Sequence, residues 1–202
     1  MFALVESGSI TKMLRGNRGI TIGGNKYPRA IYTLWTKSER EAIGIYEVEM
    51  NTSKRKDETW YINTDVTYAF GGGKVTGSYG DATARAHADT LWTAQDETDG
   101  KGIEGEVATR GLKYNLIQTL KSQVANELAK TDWYITRNTE KSTAIPSAIS
   151  THRNAVRTKQ AEMETAITNA SDTPALETLY TYTEQEDGSV TRPLGELPTL
   201  ES

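Results

Sequence analysis

"TDWYITRNTEKSTAIPSAISTHRNAVR", residues 131–157, is the stretch that decides the fold. It holds an aromatic pair, Trp133 and Tyr134, then a polar connector, a proline and a run with helical spacing. Each part suits a joint between two helices. Trp133 and Tyr134 stand where a first helix ends and the chain turns. Amphipathic rings at such a corner bury a face and leave an N–H or O–H free. Arg137 and Glu140 solvate the connection. Ile145 and Pro146 begin the return, proline being tolerated in a helix's first turn. An aromatic, partly exposed joint also serves as a docking point.

Upstream, Leu112, Leu116, Ile117, Leu120, Val124 and Leu128 form one apolar stripe. The spacing predicts a helix over 112–130, about 28 Å long at 1.5 Å per residue. Downstream, Ile149, Val156, Met163 and Ala170 recur at heptad spacing, with Ile145, His152, Lys159 and Ala166 between them. The second long helix therefore starts near Pro146. Asp172 and Pro174 restart a third, short helix, "PALETLYTY". Pro193 and Pro198 then predict an extended arm, acidic through Glu184, Glu186, Asp187, Glu196 and Glu201.

The first half has a different period. "FALVE" and "SITKM" flank Ser7-Gly8, a hairpin signal. A short strand is expected around Ile20–Ile22, inside a Gly- and Asn-rich loop. Thr36 with Glu39 has capping-box spacing, and Gly44 fits a helix stop. "IYEVEM" alternates as a strand should. "TWYINTDVTYAF" reads as one longer strand, with Trp60, Ile62, Val66, Tyr68 and Phe70 on one face. "GGG" and "KVTGSYG" turn it back, and residues 90–111 suggest another hairpin with Asp99-Gly100 near its tip. The expected fold class is α+β. An antiparallel β-rich domain spans 1–108, a helical hairpin region 109–182 and an acidic arm 183–202.

The chain has 202 residues, 36% apolar and 25% charged, so its core is thin for its length. Thin cores accompany burial shared with partner subunits. Net charge is −4, which argues against nucleic acid or an anionic membrane as partner. The charge is uneven: Lys12, Arg15, Arg18, Lys26 and Arg29 make the early chain basic. One copy's acidic tail could dock on another's front, or both could be solvated surfaces. Cysteine is absent, so disulfides and thiolate metal sites are excluded. The start, "MFALVESGSI", lacks the basic and apolar regions of a signal peptide. No apolar run approaches the ~18–20 residues that span a bilayer.

Signals for chemistry are poor. The two histidines are His87 and His152. His87 lies near Asp81 and Asp89, but no nucleophile-elbow pattern accompanies it. "GGGK" at Gly71–Lys74 fails as a phosphate loop, because Tyr68 and Val75 stand where glycine and Ser/Thr are required. "DETDGKGIE" fails as a calcium loop, its glycine falling one place early. Glu162 and Glu164 cannot share a helical face. No catalytic residue, cofactor site or metal site is expected. Arg153 and Arg157, one turn apart, either clamp a neighbouring chain's carboxylate or stay solvated. The expected interface is Trp133, Tyr134, Arg137, Ile145, Ile149, Arg153, Val156, Arg157 and Met163.

"LAKTDWYITRNTEKSTAIP", "SAISTHRNAVRT" and "EMETAITNASDTPALETLY" together resemble the C-terminal region of tail-associated proteins of tailed bacteriophages, most of all those infecting marine bacteria. The likeness rests on Thr131, Asp132, Trp133, Arg137, Glu140, Ile145, Pro146, Arg153, Arg157 and the closing "DTPALETLY". "FALVESGSITK" and "KYPRAIYTLWTKSEREAIGIYEV" resemble the start of such proteins. The resemblance implies a non-enzymatic structural protein of the tail or baseplate, located in the virion and made in the host cytoplasm. Its implied partners are other tail, baseplate or fibre proteins and further copies of itself, with no cofactor. Related families include tail-fibre assembly chaperones that act transiently and leave, which is the alternative expectation.

Overall fold

The structure, a computed structural model, describes residues 1–200. Glu201, counted above in the acidic arm, lies outside the described residues. The chain divides into two compact units, Met1–Thr83 and Ala84–Ser202. Strand sheets come first and the long helices last, as α+β implies. Residues 84–108, expected to close the β-rich region, group with the helices instead.

The first unit contains β1 (Phe2–Glu6), β2 (Ser9–Leu14), β3 (Ile20–Ile22), β4 (Asn25–Tyr27), α1 (Ile31–Leu34), α2 (Lys37–Ala42), β5 (Ile45–Asn51), β6 (Tyr61–Ile62), β7 (Thr67–Gly71) and β8 (Lys74–Ser78). Five of these form one sheet in the order β2-β1-β5-β8-β7. Ser7 and Gly8 both take positive φ and turn β1 into β2; Gly72 and Gly73 do the same between β7 and β8. The sheet is mixed, which corrects the antiparallel expectation: β5 and β8 run parallel, Val48 opposite Val75. The long excursion from Thr52 to Val66 carries the chain across before β7 and β8 return.

That excursion also breaks the expected strand over 60–70. Asn63 uses its side chain to accept from Lys56 N at 2.8 Å and to donate to Lys56 O at 2.9 Å. Thr64 Oγ1 accepts from Gly80 N at 2.7 Å. These side-chain bonds compete with a ladder, so pairing stops after Ile62 and resumes at Thr67. Ile62, expected inside, is exposed, while Tyr61 is buried.

Both faces of β1 are covered. Leu4 packs with Leu14, Ile31, Tyr32 and Ile45. Ala3 and Val5 pack with Val75 on the other face. The edge strands β2 and β7 approach within 8 Å between Cα atoms, so the sheet curls around that second cluster. Gly44 fixes the corner into β5: its φ is +81°, and a Cβ there would lie 2.6 Å from Val5 O.

Strand β9 (Thr83–Ala84) spans the boundary. The second unit follows with β10 (Thr90–Leu91), α3 (Ala94–Thr98), β11 (Val107–Thr109), α4 (Leu112–Ala129), α5 (Asp132–Lys141), α6 (Ser147–Asn169), α7 (Thr173–Tyr180), β12 (Thr183–Glu184) and β13 (Val190–Thr191). β10 and β11 pair antiparallel, but the segment between them is not a plain hairpin tip. Thr93 and Asp96 form a capping box that starts α3 there, and Asp99 becomes its C-cap.

Residues 86–89 join the helices by capping α4. Leu112 N donates to Ala86 O and Lys113 N to His87 O, both at 3.0 Å, and Gly111 N donates to Asp89 Oδ1 at 2.8 Å. A Cβ on Gly111 would sit 2.3 Å from Ala88 O, so only glycine permits this approach. Two of the backbone donors that a helix N-terminus leaves open are thus met by main-chain carbonyls, and the Asp89 carboxylate meets Gly111 N just before them.

α4 and α6 run antiparallel. Lys113, at the start of α4, donates to Thr168 O near the end of α6; Arg153, early in α6, donates to Leu128 O at the end of α4. Leu120 and Val124 of α4 are buried with Ile149, Val156, Met163 and Ile167 of α6. Asp172 caps α7 by accepting from Ala175 N. The arm expected to be extended instead folds in part: β12 and β13 form a small hairpin, and Leu194 beyond it is buried, its N–H donating to Leu179 O.

Candidate functional site

The α4–α5 corner is built around one guanidinium. Leu128 O lies in the last turn of α4, where carbonyls have no partner within the helix and the dipole is negative. Arg153 Nη1 reaches it at 2.8 Å. The same nitrogen lies 2.7 Å from Thr131 Oγ1 and 2.8 Å from Asp132 Oδ1. Thr131 is buried and its hydroxyl donates to Leu128 O at 3.0 Å. Arg153 therefore ties the end of α4 to the first residue of α5. Its carboxylate partner belongs to its own chain, not to a neighbour.

A second polar cluster lies one turn back. Glu127 accepts from Lys130, and its other oxygen comes 3.2 Å from His152 Nε2 without hydrogen-bond alignment. The Lys130 hydrogen bond holds the Glu127 carboxyl below its usual range; desolvation opposes this, and the charges of Lys130 and His152 assist. Both Glu127 and His152 are buried. His152, read as a seam residue, is the polar register contact of α4 with α6.

Beyond this corner α5 buries none of its own residues. Trp133 is 52% exposed and Ile135 is 39% exposed. The Trp133 ring does not close the hairpin end against the helices, as its position suggested. It stacks on Tyr134, with centroids 4.3 Å apart, and Arg137 lies over it at 5.5 Å. With Thr136, Glu140 and Lys141, Trp133 and Arg137 line a shallow groove of about 440 Å³. The whole is a short helix tied at its start to α4 and α6, with Trp133 and Arg137 on its exposed face.

The expected interface residues thus separate. Trp133 and Arg137 share the exposed face of α5, and Tyr134 beside them is half-buried. Ile149, Val156 and Met163 are covered by their own chain, because the heptad row meets the α4 stripe. Ile145 is half-buried in the connector and Arg157 is exposed on α6. Ile167, fully buried, was missed: it lies off the heptad row but on the wider face that a globular helix needs.

The sites weighed for chemistry dissolve into structural contacts. Asp89 accepts from Arg110 at 2.6 Å and from Gly111 N, and the Gly111 bond is the main reason its carboxyl is lowered. Asp81 pairs with Lys54 at 2.9 Å. Neither is left to orient His87. Among the described residues no group of His, Asp or Glu is placed to hold a metal ion, and no helix is long and apolar enough to cross a membrane.

No protein-family model, curated protein or solved structure matches this chain.

Proposed function

We propose that this chain is a non-enzymatic structural protein of a bacteriophage tail or baseplate region, which joins tail or fibre components through protein–protein contacts made by α5. The observation that carries the reading is the ten-residue helix α5, which buries no residue of its own. Isolated helices shorter than roughly 12–15 residues are marginal in water, and helices in proteins gain stability by packing an apolar face. Arg153 ties the start of α5 to α4, the Asn138 side chain near its end bonds only the connector at Thr143 O, and Trp133, Ile135 and Arg137 are exposed. Trp and Arg dominate the energetics of protein interfaces, where a flat ring and a planar cation lose little entropy on docking. The resemblance of 131–157 to tail-associated proteins supplies the biological setting for that partner.

In this reading α4 and α6 hold α5 in place, and multiple copies act together in the virion. Mass spectrometry of purified tailed-phage particles that encode the chain tests it. Its presence in stoichiometric amount is expected. Absence from particles, with a complex to a fibre protein in infected cells, would instead identify a transient fibre-assembly chaperone.

A further inference from the structure

Between Glu6 and Glu39 the chain has no acidic residue, yet it holds Lys12, Arg15, Arg18, Lys26, Arg29 and Lys37. This occurs in a protein of net charge −4. The first five of these cations are exposed and form no ion pair among the described residues. Outside this segment many cations are compensated: Lys54, Arg55, Lys74, Lys101, Arg110, Arg153 and Arg192 each meet a carboxylate of their own chain. Uncompensated like charge within one short segment costs self-repulsion, which an opposite charge relieves.

Three of the five converge. Lys12, Arg15 and Arg18 line one concavity of about 580 Å³ with Asn17, Thr21 and Tyr32. The loop is held in shape. A Cβ on Gly19 would lie 2.5 Å from Tyr27 O, and Gly16, at φ +71°, sits against the Phe2 and Tyr32 rings. The concavity therefore belongs to the fold rather than to a loose tail.

The same chain carries the complementary feature. The turn between β12 and β13 bears Glu184, Glu186 and Asp187, all exposed and without an ion pair among the described residues. It too has a defined shape: Gln185 N donates to Ser189 O at 2.8 Å, Gly188 N to Gln185 O at 3.0 Å, and Ser189 N to Asp187 Oδ1 at 2.9 Å. An exposed two-strand turn with three carboxylates outside any ion pair fits a concavity with three cations outside any ion pair.

We infer that the acidic β12–β13 turn of one copy docks in the Lys12–Arg15–Arg18 concavity of another copy. The two surfaces differ, so the contact is heterologous, the kind that builds rings or chains of subunits. Exposed ion pairs are individually weak and are screened by salt, so the contact gains its strength from repetition in an array. The inference does not use α5, and it stands or falls separately from the identity of α5's partner.

The test is sedimentation velocity on the full-length chain and two charge-reversed forms, with thermal melts to confirm that each folds. One form carries Lys12→Glu, Arg15→Glu and Arg18→Glu. The other carries Glu184→Lys, Glu186→Lys and Asp187→Lys. The unaltered chain should associate at about 0.01 M salt and lose that association at about 1 M, where the Debye length shrinks from ~30 Å to ~3 Å. Each reversed form alone should stay monomeric at low salt. An equimolar mixture should associate again, because the reversed concavity of one form faces the reversed turn of the other. An unaltered chain that stays monomeric at low salt overturns the inference. So does a mixture that fails to recover association. Binding of an oligonucleotide at the concavity by a chain that does not self-associate would show the ligand to be a phosphodiester instead.

Discussion

Arg153 Nη1 stands 2.8 Å from Asp132 Oδ1, joining positions 21 residues apart, and the same nitrogen closes the last carbonyls of α4 through Leu128 O. This one side chain ties the start of α5 to the end of α4. Asp132 is well exposed, so the ion pair itself is weakened by solvent. The larger share comes from the bonds to Leu128 O and to the buried Thr131 hydroxyl, which are screened less; each group would keep its other bond, made between Thr131 and Leu128.

Arg153→Ala should therefore destabilise the chain by about 1.5–3 kcal/mol in urea unfolding, the range for losing hydrogen bonds made by a charged group. Arg153→Lys should recover only part of this, since the shorter lysine side chain stops short of the position that Nη1 occupies. Asp132→Asn should cost much less than Arg153→Ala. Equal losses from both substitutions would place the energy in the ion pair and contradict this account.

Met163 is buried by its own chain. Met163→Ala should lower stability by roughly 2–5 kcal/mol, the range for large-to-small changes in a core. The loss should not vary with protein concentration. A melting temperature that depends on concentration in the unaltered chain, and no longer in the variant, would mean that the heptad row serves an interface between subunits.

Gly44 adopts φ +81° with no room for a Cβ beside Val5 O. Gly44→Ala should cost about 1–3 kcal/mol through positive-φ strain and overpacking together. Gly8 also has positive φ, but nothing stands within 4 Å of its Cβ position. Gly8→Ala should cost less, by about the backbone penalty alone. Thermal melts of the two variants measure the difference.

Asp96 titrates at about 2, below its ordinary 3.8, chiefly because the Thr93 hydroxyl and then the Thr93 N–H donate to it, with Lys101 adding a third bond. The folded value is depressed, so its contribution is complete above the unfolded value near 3.8. It is lost as pH falls through about 2. Carbon-detected NMR titration of the Asp96 carboxyl reads this directly. Thr93→Val should raise the midpoint and fray α3.

The features legible in the sequence are those whose partners lie close along the chain. Thr36 with Glu39, and Asp172 at its helix start, act over three residues, and both form as spacing implied. The paired glycines at 72 and 73 announce positive φ. The α4 stripe and the α6 row meet because each needs an apolar face. The parallel register of β5 on β8 was not legible, since alternation shows that a strand exists but not its neighbour. The cap on α4 escaped as well: Ala86 and His87 contribute only carbonyls, and any residue has one. For the site, composition pointed to Trp133, Tyr134 and Arg137. The pairing of Arg153 with Asp132 spans a connector that local spacing does not resolve.

The central claim is that the outer face of α5 attaches this chain to other proteins of a phage tail. It is tested by quantifying the Trp133→Ala, Arg137→Glu double variant in purified particles against the unaltered chain. Both side chains are exposed, so the melting temperature should hold, as surface substitutions usually shift stability by less than about 0.5 kcal/mol. The account predicts that the folded variant falls at least tenfold in particle occupancy. Full incorporation of the variant into functional particles would contradict it.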